Sequence, residues 1–101
     1  MINTAQQKID ALIQVGAGNL LENTLRKLIK LQIAHYQNTI KQMTPDLETF
    51  ERQFKMSSDE CYRRFNTGEL GDSGDLFEWV SLYENVLLYQ QRIRTLGTVL
   101  A

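Results

Sequence analysis

Apolar residues recur along this chain at steps of three and four, and alternating β-branched positions are almost absent, a pattern that predicts helices and no sheet. A first short helix is expected over residues 4 to 15, with Ile9, Leu12 and Ile13 on one face, stopped by Gly16-Ala17-Gly18. Asn19 with Glu22 three residues on reads as a capping box that restarts the chain as a helix. The stripe then runs through Leu21, Leu25, Ile29, Ile33, Tyr36, Ile40 and Met43, widened by Leu28 and Leu31. A helix of about 24 residues spans roughly 36 Å, longer than the diameter expected of a hundred-residue globule. It therefore predicts the spine of an elongated hairpin or a dimer.

Thr44-Pro45-Asp46 reads as a fresh helix start, with Thr44 as N-cap, Pro45 where its missing N–H is harmless, and Asp46 favoured by the helix dipole. The reading favours a break there, although the stripe continues through Leu47, Phe50 and Phe54, which leaves a kinked continuous helix as the alternative. Ser57-Ser58-Asp59-Glu60 is a second capping box, opening a short helix with Cys61, Tyr62 and Phe65 inward and Thr67-Gly68 at its close.

After the turn at 69 to 74 a second long helix is expected from Asp72 to Asp75 onward. It carries two apolar stripes. One is Leu76, Val80, Tyr83 and Leu87; the other runs from Trp79 or Leu82 through Val86, Tyr89, Ile93, Leu96 and Leu100. Two stripes call for two neighbours: the first long helix on one side, and a second copy or a different protein on the other. The expected fold is all-α, a single domain over 1–101 built on two long antiparallel helices with two to three short ones, completed as a bundle by dimerisation.

Composition narrows the function without naming it. The 101 residues hold 11 Lys plus Arg against 12 Asp plus Glu, so the basic excess typical of nucleic-acid binders is missing and nucleic acid is not the expected partner. Residues 1 to 55 carry +2 and residues 56 to 101 carry −3, the acids gathering between Asp59 and Glu84. The lone Cys61 can form neither an internal disulfide nor a structural zinc site. No stretch reaches the length of an apolar membrane span, and Met1-Ile2-Asn3-Thr4 has neither the basic start nor the apolar run of a secretory signal, which points to a cytoplasmic protein.

Candidate chemistry is sparse. Glu69, Asp72, Asp75 and Glu78 fall three residues apart and invite a divalent metal, but acids at a helix N-terminus are expected from capping alone, and no metal or cofactor is assigned. His35 and Cys61 could be imagined as base and nucleophile, yet no orienting third group accompanies them, and no phosphate loop or nucleophile elbow occurs. The expectation is a protein that is not an enzyme. Residues 47 to 65 have the layout of a helix-turn-helix, the alternative being a DNA-binding or transcription-regulating role. Asp59 and Glu60 on the would-be recognition helix oppose a phosphate backbone, and Arg63 and Arg64 only cancel them. Phe77, Trp79, Tyr83 and Tyr89 serve either as core or as interface anchors.

The segment Phe50-Glu51-Arg52-Gln53-Phe54-Lys55-Met56-Ser57-Ser58-Asp59-Glu60, with Phe65, Gly68-Glu69-Leu70-Gly71-Asp72 and Asp75-Leu76-Phe77-Glu78-Trp79, resembles a group of small helical prokaryotic proteins. These read F-E-x-x-Y-G-M-S-S-E-E-F, then F-x-x-G-x-L-G-D and D-x-x-E-W. Lys55 stands where the group carries a turn glycine and Cys61 where it carries an aromatic. Members are commonly encoded as the antitoxin-like partner beside a small toxin, often a suspected ribonuclease. The resemblance implies neutralisation of a cognate toxin by direct contact and no catalytic residues. Joined to the acidic and aromatic character of the second long helix, it selects Glu69, Asp72, Asp75, Phe77, Glu78, Trp79 and Tyr83 as partner-binding residues.

Overall fold

The computed structural model describes residues 3 to 100; the reading of Met1 and Ile2 as lacking a signal lies outside them. Among the described residues the chain is all-α, with helices α1 (Ala5–Gln14), α2 (Gly18–Phe54), α3 (Ser58–Asn66) and α4 (Gly74–Gly97) and no strand. Among the described residues no helix is long and apolar enough to cross a membrane.

Three of the four starts are set by a side-chain cap, though not always as expected. Thr4 and Gln7 form a reciprocal capping box at α1, while Gly16, at φ 88°, supplies the left-handed residue that ends it. The box expected of Asn19 and Glu22 does not form: α2 begins at Gly18 behind Ala17, with no side-chain cap. Glu22 instead lies 3.9 Å from Arg26 one turn along. At α3 the Ser57 hydroxyl accepts from the Glu60 N–H, but the Glu60 carboxylate turns toward Arg64, at 4.0 Å, so only half of that box is built. Ser73 caps α4, leaving Asp75 in its first turn and Asp72 in the loop before it.

The expected break at Thr44-Pro45 is absent, and α2 runs unbroken for 37 residues. Proline within a helix removes one N–H donor and crowds the carbonyl four residues back, a local penalty of about 3 kcal/mol. Packing overrides it here, because the stripe Ile29, Ile33, Tyr36, Ile40, Met43, Leu47, Phe50 and Phe54 continues on one face through the proline. Thr44 is no cap; its hydroxyl donates to the Ile40 carbonyl at 2.9 Å, as Thr49 donates to Pro45.

The α2–α4 pairing is antiparallel, as expected. Moving up α2 and down α4, the Arg26 guanidinium donates to the Leu100 carbonyl at 2.9 Å, Tyr36 stacks on Tyr89 at 5.3 Å, and Phe50 and Phe54 stack against Trp79 at 5.7 and 5.5 Å. Arg92 sits over both tyrosine rings, 5.7 and 5.9 Å from their centroids.

The core occupies one end of this hairpin. Leu47, Cys61, Leu76, Trp79, Val80 and Val86 are buried, all near the α3 end, and α1 and the first half of α2 contribute none. The Leu76-Val80-Tyr83 stripe of α4 finds its neighbour inside the chain: Leu76 and Val80 share the core cluster with Cys61 of α3, and Tyr62 meets Tyr83 edge-on at 5.6 Å. An outside partner is not needed for that stripe as far as Tyr83. The molecule extends 60 × 27 × 20 Å, with a radius of gyration of 20.0 Å against about 13 Å for a compact chain of this length.

Candidate protein-binding surface

The hairpin sorts charge in a way that the linear halves do not. Residues 46 to 84, which build the end with the core, hold four Lys/Arg and ten Asp/Glu, a net of −6. The remaining residues, which α2 and α4 bring together at the far end, hold seven and two, a net of +5. One end of a 60 Å rod is thus acidic and the other basic.

Within the acidic end, Arg63 lies 3.3 Å from Asp59, and Arg64 is shared between Glu60 at 4.0 Å and Glu69 at 3.0 Å. Asp72, Asp75, Glu78 and Glu84 are exposed and make no ion pair among the described residues. Asp75 and Glu78 lie one turn apart at the start of α4, and the Asp72 loop adjoins them. Phe77 stands among them with 52% of its surface exposed, its ring edge-on to Phe65 at 5.3 Å. Phe65 fixes the ring without covering it.

Two of the seven sequence-selected residues do not belong to this surface. Trp79 has 0% exposure. Its indole N–H donates to Ser58 Oγ at 2.9 Å, and that hydroxyl donates in turn to Glu51 Oε2 at 2.9 Å, which also accepts the Ser58 backbone N–H. The ring is a core element that joins α4 to α3 and α2, so it cannot touch a partner while the fold is intact. Tyr83 is half-buried against Tyr62, and its phenol is pushed above the ordinary tyrosine range, first by burial and then by Asp59, Glu51 and Tyr62. Glu69 is exposed but committed to Arg64. Asp72, Asp75, Phe77 and Glu78 remain as the free surface.

The alternative sites are not assembled. His35 is exposed on α2 twelve residues, or about 18 Å, before Leu47, whereas Cys61 is 1% exposed in the same core as Leu47. Burial pushes the Cys61 thiol up and Arg64 only partly opposes it, the reverse of what a thiolate nucleophile needs. No group of three His, Cys, Asp or Glu that could hold a metal ion occurs among the described residues. In the 47 to 65 corner Lys55 takes the left-handed conformation, φ 54°, ψ 44°, and both α3 arginines are engaged by carboxylates. Comparison with known protein families, with curated proteins and with solved structures gives no match to this chain.

Proposed function

We propose that this chain is a protein-binding module of the antitoxin-like kind, which neutralises a small basic toxin by covering it with the acidic end. The observation that carries the reading is the concentration of ten acids against four basic residues in the end that presents one half-exposed aromatic, Phe77. Free carboxylates at Asp72, Asp75 and Glu78 attract a cationic surface and raise the encounter rate, while a partly exposed ring held by Phe65 supplies an apolar anchor at small entropic cost. A suspected ribonuclease, with a basic substrate-binding face, is the kind of partner such a surface suits.

The test is growth of a host expressing the small reading frame encoded beside this one, with and without this protein, followed by tagged co-purification. Rescue together with a complex supports the reading. With the purified pair, neutralising Asp72, Asp75 and Glu78 together slows association at low salt by about tenfold, and Phe77→Ala speeds dissociation by about tenfold or more. A toxic neighbour that this protein neither rescues nor binds overturns it.

A further inference from the structure

The basic end presents a different surface. Among the described residues nine large hydrophobic side chains are exposed, and six of them, Leu12, Ile13, Val15, Leu20, Leu28 and Leu31, come from α1, its turn and the first half of α2. Leu28 and Leu31 retain 59% and 69% of their exposure. On α2 the series Leu20, Thr24, Leu28, Leu31 steps by four, four and three, which lines one helical face. That face lies roughly opposite the Ile29-Ile33-Tyr36 stripe turned to α4, so no helix of this chain covers it. Even the stripe between the two helices is only half-buried here, because two helices side by side form a single layer.

The surface total puts a size on what is missing. The chain exposes 7489 Å². A compact monomer of 11.7 kDa exposes about 5,900 Å², an excess here of roughly 1,600 Å². Stable interfaces bury about 800 Å² per partner, and permanent homodimers more, so the excess is of the size that one dimer face removes.

We propose that a second copy of this chain covers the α1–α2 tip, forming a two-fold dimer through Leu12, Ile13, Leu20, Leu28 and Leu31. An antiparallel crossing of the two α2 helices centred between Leu25 and Arg26 sets Leu20 of each copy beside Leu31 of the other and Leu28 beside Thr24, the self-complementary pattern that a two-fold axis requires. The acidic ends then project outward from a central bundle, leaving both Phe77 surfaces free. Lys27 and Lys30 flank the leucine face, so each copy brings like charge to the rim, and added salt strengthens this association where it weakens binding to an anionic surface.

Sedimentation equilibrium of the intact chain tests this. The expected result is a mass near twice 11.7 kDa, held or strengthened by salt, for wild type and for Phe77→Glu, and a mass near 11.7 kDa for Leu28→Glu/Leu31→Glu with the helical circular dichroism retained. As a test independent of that variant's folding, Leu20→Cys protein mixed with Leu31→Cys protein under a mild chemical oxidant forms mixed disulfides at least tenfold faster than either does with Phe77→Cys. A wild-type monomer at about 100 μM, a dimer that survives the double glutamate variant in a folded protein, or mixed disulfides no faster than the control would each overturn the proposal. So would a monomer that binds vesicles containing phosphatidylglycerol through the same leucines, which would assign the face to a lipid surface.

Discussion

Removing the Ser58 hydroxyl is the sharpest test of how the acidic end is held together. That single oxygen accepts from the Trp79 indole and donates to Glu51, and Trp79 is wholly enclosed. In Ser58→Ala the indole N–H has no acceptor and no access to water, a loss of about 1–3 kcal/mol, while Glu51 keeps the Ser58 backbone N–H. An overall destabilisation of about 2 kcal/mol corresponds to a fall in melting temperature of roughly 8–16 °C for a domain of this size. The chain contains one tryptophan, so the fluorescence of Trp79 during urea unfolding reports on the altered site directly. A double-mutant cycle followed by helical circular dichroism, which all four proteins report, isolates the hydrogen bond. Phenylalanine has no N–H to leave stranded, so in a Trp79→Phe background Ser58→Ala destabilises by only about 1 kcal/mol, a coupling near 1 kcal/mol. An equal loss in both backgrounds would show that the indole hydrogen bond contributes nothing and that the serine acts through Glu51 alone.

Other substitutions probe the remaining features. Lys55→Gly stabilises the protein by about 1 kcal/mol in urea unfolding, because residue 55 holds the left-handed conformation that disfavours a β-carbon. Pro45→Ala, at an exposed position inside α2, returns a donor to the Lys41 carbonyl and raises stability by roughly 1–3 kcal/mol; a loss would mean that the proline sets the path of the helix. Trp79→Ala lowers stability by about 3–5 kcal/mol, seen as a drop in melting temperature, before any effect on partner binding can be read. Stability also falls at alkaline pH. The folded Cys61 thiol is raised above its ordinary value by burial, so the stability it contributes is present below about pH 8.5 and is lost as pH rises through the folded value. Cys61→Ala flattens that part of a melting-temperature profile against pH, and a profile unchanged by the substitution would remove the thiol from the account.

Much of the fold was legible because apolar spacing reports burial directly. The stripe from Ile29 to Phe54 and the two stripes of α4 correspond to the surfaces those helices turn inward, whereas Leu28 and Leu31, expected to widen the first of these, lie on the opposite face and stay exposed. Thr44-Pro45-Asp46 misled, because a local start signal was weighed without the packing on both sides that holds α2 straight through it. Asn19-Glu22 misled likewise: Glu22 also stands four residues before Arg26, and that i,i+4 pairing competes with the cap for its carboxylate. The acidic surface was found at Asp72, Asp75 and Glu78, but Trp79 was placed on it because an aromatic in an acidic helix reads equally well as anchor or as core. Only Ser58 and Phe50 with Phe54, distant in the chain, decide for core. The strength of the charge division was hidden for a geometric reason. Cutting the chain at residue 55 assigns Asp46, Glu48 and Glu51 to one half and Arg92 and Arg94 to the other, whereas the hairpin exchanges them.

Confining the enclosed residues to one end also sets the order in which the structure opens and closes. Amide protons in the second half of α2, α3 and the first half of α4 sit over Leu47, Trp79 and Val80 and exchange only through near-global unfolding, while those of α1 and the first turns of α2 exchange through cheap local openings. Folding is expected to run the other way: the segment from Leu47 to Val86 holds the buried cluster within forty consecutive residues, so that the helices zip outward from it through the Tyr36–Tyr89 stack toward Arg26 and Leu100. A ribosome-bound chain cannot finish this hairpin until its last turns emerge, so the far end of α2 waits longest for its α4 partner.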